Sequence, residues 1–213
     1  MSSTSVERTF VIASANADKA QEMVEILGEA LPSDVRLVLR PANLPPTDEV
    51  GATLEENATL KARQVRDATG KPAIADDTAL EVSALGGRPG VRTARYAGPS
   101  ADPAKNVALL LTELAGVKER AARFRTVAVA SLVDGSELSA EGTLEGEIAT
   151  VSRGDQGFGY DPVFVPLGAG GRTLAELDSK EKHAISHRGR ALRNLAAKLS
   201  VAGEGEGSTR GSR

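Results

Sequence analysis

The chain has 213 residues, of which 40% are hydrophobic and 26% charged, and it carries a formal net charge of −3, the composition of an ordinary globular protein. It lacks the basic excess that binding to phosphate backbones calls for, which argues against nucleic acid as the main partner. With no cysteine there are no disulfides, thiolate nucleophiles or Cys-ligated zinc. The first apolar run, Phe10 to Ala13, is too short for a signal-peptide core, and no later stretch reaches bilayer length, so a cytoplasmic location without membrane contact is expected.

Residues 8–14 read as a short buried strand. Asn16 stands at a helix N-cap, and Ala20, Met23, Val24, Leu27, Ala30 and Leu31 follow at helical spacing. A second strand is expected at 35–40, then a Pro-rich acidic loop from Pro41 to Ala52. Thr53 to Glu56 forms a capping box opening a helix that Gly70 and Pro72 end. Residues 72–83 read as extended chain interrupted by Asp76 and Asp77, and the run Gly86 to Gly90 as irregular. Asp102-Pro103 starts a helix reaching towards Gly116. Strands are expected at about 122–133 and 137–149, joined by a hairpin at Asp134-Gly135. Thr173 to Glu176 is a second capping box, and a last helix covers about 183–200. The segment 202–213 is low in complexity and expected to be disordered, leaving 1–201 as a single α/β domain. Strands, helices and a long hairpin in this order predict a mixed β-sheet flanked by helices.

Neither a P-loop nor a dinucleotide fingerprint is present: Gly157-Phe-Gly159 begins like the latter, but Pro162 occupies the place of its third glycine. His183 and His187 are four apart on the expected helix, yet Ala184 replaces the glutamate of a zinc protease. The pair reads as a capping or solvent-facing histidine beside a polar contact. Asp76 and Asp77 are adjacent on extended chain, so their side chains face opposite ways. They suit a hard cation such as Mg²⁺ and equally suit an Asx-turn. Three of the chain's six aromatics (four Phe, two Tyr) fall between Gly157 and Phe164. Phe164 reads as core, while Phe158 and Asp161 read as ligand contacts, with a planar base stacked on Phe158. Lys180, Lys182 and Arg188, near the expected start of the last helix, oppose its dipole, a conflict that a bound polyphosphate would remove.

In this order, the segments Ser14 to Lys19, Thr53 to Ala58, Ala75 to Leu80, Gly86 to Gly98, Phe158 to Pro162 and Ser186 to Arg188 resemble the inosine triphosphate pyrophosphatase family, over about Phe10 to Leu199. The resemblance implies an α/β fold with two lobes around a central nucleotide cleft. It implies an enzyme that cleaves ITP, dITP or XTP to the monophosphate and pyrophosphate and so cleanses the nucleotide pool. Ser14, Ala15, Asn16, Ala17, Asp18 and Lys19 are then expected to hold the triphosphate, with Thr78 beside the substrate. Asp77 is the implied proton acceptor. Asp77, Asp76 and Glu49 are the implied ligands of Mg²⁺, or of Mn²⁺ in its place. Phe158, Gly159, Tyr160 and Asp161 cradle the base, and Lys182, His187 and Arg188 complete the contacts. A homodimer is implied as well. The chain departs from the family pattern in Ser14-Ala15-Asn16 for Thr-Gly-Asn and in Asp77-Thr78-Ala79-Leu80 for Asp-Ser-Gly-Leu.

Overall fold

The computed structural model describes residues 8–100 and 102–207. Strand β1 (Arg8–Ile12) pairs in parallel with β2 (Val35–Leu39) along its whole length and with the start of β3 (Ala73–Val82). A strand with parallel neighbours on both sides is covered on both faces, which is why Phe10, Val11 and Ile12 form an unbroken apolar run. Helix α1 (Ala17–Ala30) links β1 to β2, and Asn16 caps it by accepting the Lys19 N–H at 3.0 Å. Helix α2 (Leu54–Thr69) opens on the expected capping box of Thr53 and Glu56, and ends at Gly70 in the left-handed region, φ 65°.

Strand β3 differs from its expectation. It runs without a break from Ala73 to Val82, so Asp76 and Asp77 are strand residues and an Asx-turn is ruled out for them. The run expected to be irregular, Gly86 to Gly90, ends in a two-residue strand, β4 (Pro89–Gly90), antiparallel to β3 with Leu80 opposite Gly90. Helix α3 (Pro103–Glu113) starts at Asp102, which accepts the N–H groups of Ala104 and Lys105. The long strands are β5 (Ala121–Ser131) and β6 (Glu137–Ile148), and β7 (Phe164–Pro166) adds antiparallel to β6. The sheet order is β2-β1-β3-β5-β6-β7 with β4 beside β3: a mixed sheet with helices, the expected class.

The expected last helix is two helices. Helix α4 (Ser179–Ile185) begins at its own capping box, Asp178 with Glu181, and α5 (His187–Gly207) follows after Ser186, whose backbone is extended. Ser186 Oγ accepts the Gly189 N–H at 2.9 Å and its carbonyl accepts that of Arg190, so a serine ends one helix and caps the next. This break puts His183 and His187 on different helices and removes the one-face spacing that made them a zinc candidate. Helix α5 extends to Gly207, so residues 202–207 of the expected disordered tail are helical, and residues 208–213 lie outside the described residues. No described helix is long and apolar enough to cross a membrane.

The chain forms two compact units, and it passes from one to the other at 77/78, 126/127, 141/142 and 190/191. Among the described residues the first comprises 8–77, 127–141 and 191–207. Its core joins Phe10 and Ile12 of β1, Met23 and Leu27 of α1, Ile74 of β3 and the α5 stripe Ala191, Leu192, Leu195, Ala196 and Leu199. That stripe repeats at helical spacing, which is how α5 is held to the sheet. The second comprises 78–126 and 142–190, with a core of Leu80, Val82, Leu110, Leu114, Phe124, Leu144, Ile148, Tyr160, Val163, Phe164 and Leu174.

The second unit holds both tyrosines. Burial, with the Glu113 carboxylate that accepts its hydroxyl, pushes Tyr96 up to about 12, and burial pushes Tyr160 higher still. A phenol whose folded pKa is raised contributes stability that is complete below the unfolded value of 10.0 and is lost as pH rises towards the folded one. Titration of tyrosinate absorbance is therefore expected to show neither ring ionising at pH 10.5 in the folded protein, and both doing so in denaturant.

Candidate active site

The first unit gathers carboxylates and lysines around β3. Because successive strand side chains face opposite ways, Asp76 and Asp77 meet different partners. Asp76, 2% exposed, lies 3.9 Å from Lys19 Nζ at the start of α1. Asp77, 6% exposed, takes Lys61 Nζ on Oδ1 at 2.8 Å and the Asn57 amide on Oδ2 at 3.2 Å. Lys61 also donates to Glu49 Oε1 at 3.1 Å, so two carboxylates share one ammonium. Burial raises the Asp77 carboxyl above its ordinary value, and Lys61 and Lys19 only partly offset this. Burial opposes the Lys61 ammonium, but Asp77, Asp76 and Glu49 together hold it above the ordinary lysine value, so it stays charged. A buried carboxylate with a raised pKa beside fixed cations has the electrostatics of a general base.

Of the residues expected at the triphosphate, Asn16 is the N-cap of α1 and Lys19 stands in its first turn beside Asp76. Ser14 Oγ donates to the Asn16 carbonyl at 3.2 Å, shaping the turn into α1. Ala15, Ala17 and Asp18 are exposed, with Asp18 in the first turn of α1. Ala79 is a buried strand residue, so its extended backbone does not call for the family's glycine.

The second unit builds its own constellation from the glycine-rich segment and the α4–α5 break. Asp161 Oδ2 accepts the Phe158 N–H and the Lys182 ammonium, each at 2.8 Å, and both charged side chains are buried. Gly157, at φ 72°, passes so close that a Cβ there would collide with the Asp161 carboxylate. Lys182 Nζ stands 4.6 Å above the Phe158 ring centroid and Arg188 Cζ 5.5 Å from it, so two cations face one half-buried aromatic ring. Arg188, 2% exposed, donates to Thr78 Oγ1 at 3.3 Å, and Thr78 shares a hydrogen with Thr126 at 2.7 Å. His187 stacks on Phe124, with centroids 4.4 Å apart. Gly159 is half-buried in the loop.

Tyr160, in the same segment, is 4% exposed and packs in the unit's core with its hydroxyl donating to the Thr93 carbonyl at 3.0 Å. One expectation needs correction here. Lys182 sits in the last turn of α4 rather than at a helix start, so the helix dipole favours it, whereas Lys180 and Arg188 do stand in the first turns of α4 and α5. Sequence reasoning missed Asn57, Lys61 and Thr126. Asn57 and Lys61 are one turn apart on α2, and an Asn among the buried Leu54, Ala58, Ala62 and Val65 was the available signal.

The Ham1 family model matches residues 10–198. The chain is 48% identical over 186 residues to a dITP/XTP pyrophosphatase of Syntrophobacter fumaroxidans, covering 87% of this chain and 79% of that protein. It is 45% identical over 190 residues to one of Streptococcus agalactiae, where the match covers 88% of this chain and 58% of the longer relative. The solved structure of the Staphylococcus aureus Ham1 protein superposes with a TM-score of 0.79 at 36% identity, over 92% of this chain and 100% of that one. With nearly all of its described length matched in sequence and in fold, the chain belongs to the Ham1 family.

Proposed function

We propose that this chain hydrolyses ITP, dITP and XTP to the monophosphate and pyrophosphate. The observation that carries this reading is the buried carboxylate pair on β3, in which Asp76 faces Lys19 and Asp77 faces Lys61. The names of the relatives, dITP/XTP pyrophosphatases, support it.

In this reading Asp77 accepts a proton from a water whose oxygen bonds to the α-phosphorus. The bond from that phosphorus to the α–β bridging oxygen breaks, and its electron pair leaves with pyrophosphate. Lys19 and Lys61 hold the phosphate charge, and Asn16 presents the start of α1 to it. Lys61 gives two of its three donors to Asp77 and Glu49, which leaves the third for a phosphate oxygen.

The donor set suits Mg²⁺ or Mn²⁺: Glu49, Asp76 and Asp77 offer hard oxygens, and Glu49 and Asp77 already converge on one cation, the Lys61 ammonium. Among the described residues no three His, Asp or Glu side chains form a finished metal cage. Mg²⁺ commonly takes one or two carboxylates and fills its remaining positions with water and phosphate oxygens, so these residues fit it. When bound, the ion neutralises phosphate charge that would repel the incoming water.

The base is read by the second constellation. Phe158 offers a ring face for stacking, and Lys182 and Arg188 supply donors for a 6-oxo group. Against the amino group of adenine such donors are left unmatched, and an unmatched buried donor discriminates strongly. The same reading includes a homodimer acting in the cytoplasm, with neither nucleic acid nor membrane as partner.

A substrate panel tests it. Purified protein with Mg²⁺ is expected to release pyrophosphate from dITP, ITP or XTP at least about a hundredfold faster, by kcat/KM, than from ATP. Equal rates on ATP, GTP, CTP and UTP would sink the reading, and a preference for modified pyrimidine triphosphates would reassign the base.

A further inference from the structure

Asn57 has no task in the reaction just described, yet it is 2% exposed and both ends of its carboxamide are engaged. Its Oδ1 accepts the Gly51 N–H at 2.8 Å, and its Nδ2 donates to Asp77 Oδ2 at 3.2 Å. The direction is dictated by chemistry. A backbone N–H can only donate, so Gly51 draws the carbonyl end of Asn57 and turns the NH₂ end towards the carboxylate. The loop is shaped to this contact: a Cβ on Gly51 would stand 2.6 Å from Asn57 Oδ1 and 2.7 Å from Glu56 Cβ, so only glycine allows the approach. Gly51 lies two residues beyond Glu49, and Lys61, one turn beyond Asn57, takes the other oxygen of Asp77 at 2.8 Å.

We propose that Asn57 is the positioning residue of Asp77: anchored by the Gly51 N–H, its amide pins Oδ2 so that, with Lys61 on Oδ1, the carboxylate plane is fixed and the Glu49-bearing loop is tied to it. The proposal rests on Asp77 being the proton acceptor. A carboxylate held at both oxygens cannot rotate, so the lone pair that receives the proton stays aimed in one direction. Loss of one hold therefore lowers kcat and leaves substrate affinity little changed.

Two substitutions separate the ends of the carboxamide. Asn57→Asp keeps the size and the acceptor for Gly51 but, when ionised, has no donor for Asp77 and sets a like charge against it. Asn57→Ala removes both. The readouts are kcat and KM on dITP with Mg²⁺, amide hydrogen exchange at Gly51, and the same kinetics in an Asp77→Asn background. Asn57→Asp is expected to lower kcat by about thirtyfold or more, with KM within about threefold and Gly51 exchange unchanged. Asn57→Ala is expected to lower kcat comparably and to speed Gly51 exchange, and it carries the kinetic test if the aspartate variant does not fold. In the Asp77→Asn background either change is expected to cost less than about threefold more, because the group it acts through is gone. Turnover within about threefold of the parent in both variants overturns the proposal, as does a full loss that recurs in the Asp77→Asn background, the mark of a merely structural role. Parental turnover in Asp77→Asn alone would remove the base assignment, and the proposal with it, before any Asn57 variant is made.

Discussion

Asp77→Asn is expected to lower turnover of dITP by a factor of roughly a hundred or more while the protein still folds and binds nucleotide. The substitution keeps the shape of the side chain and an oxygen that can accept the Lys61 ammonium or the Asn57 amide, but it removes the lone pair that takes the proton in the proposed reaction. Folding should tolerate it because burial already disfavours charge at this position, as the raised pKa of Asp77 shows. Lys61 keeps Glu49 at 3.1 Å and the field of Asp76, so its charge is not stranded. A stability change of about 1 kcal/mol, or roughly 2–4 °C in melting temperature for a chain of this size, is the expected limit. Stopped turnover with an unchanged melt and retained nucleotide binding assigns Asp77 to the chemistry. Near-parental turnover would move the base elsewhere, and unfolding would make Asp77 a structural residue.

How far the sequence foretold this site varied with the kind of signal. Local signals read well: Asn16, Thr53 with Glu56, Gly70 and Asp102 bound their helices as expected, because caps act within one turn and leave their pattern in adjacent residues. Strand β3 read less well, since two carboxylates in a row look like an interruption. They are tolerated in mid-strand only because Lys19, Lys61 and Asn57 arrive from α1 and α2, and such long-range compensation is invisible along the chain. The α4–α5 break was legible but overlooked. Asp178-x-x-Glu181 is the same signature as Thr53-x-x-Glu56, and Ser186 precedes a helix as a cap should. The resemblance implied two lobes, but the bounds of the two units could not be read from the residues, because the chain changes unit within β3, β5, β6 and α5, where no linker composition marks the passage.

Lys182→Met is expected to destabilise the protein by about 3–5 kcal/mol, the usual cost of removing one partner from a buried ion pair. Lys182 and Asp161 are both nearly inaccessible to water and meet at 2.8 Å. Without the ammonium, Asp161 Oδ2 keeps the Phe158 N–H but loses a charged partner at 2.8 Å. At roughly 2–4 °C per kcal/mol for this chain length, the melting temperature should fall by about 6–20 °C. The loss has a second part, since the same ammonium covers the Phe158 ring at 4.6 Å. Pairing the change with Asp161→Asn separates the two. The amide removes the stranded charge and still accepts the Phe158 N–H, so the double variant should recover most of the lost stability. It should not recover base recognition, because the cation over Phe158, the proposed donor for a 6-oxo group, is still absent. A double variant that melts near the parent yet no longer prefers dITP over ATP would show that the buried pair serves selectivity and is not needed for the fold. A Lys182→Met protein melting within about 2 °C of the parent would overturn the expected loss and show that the pair contributes little to stability.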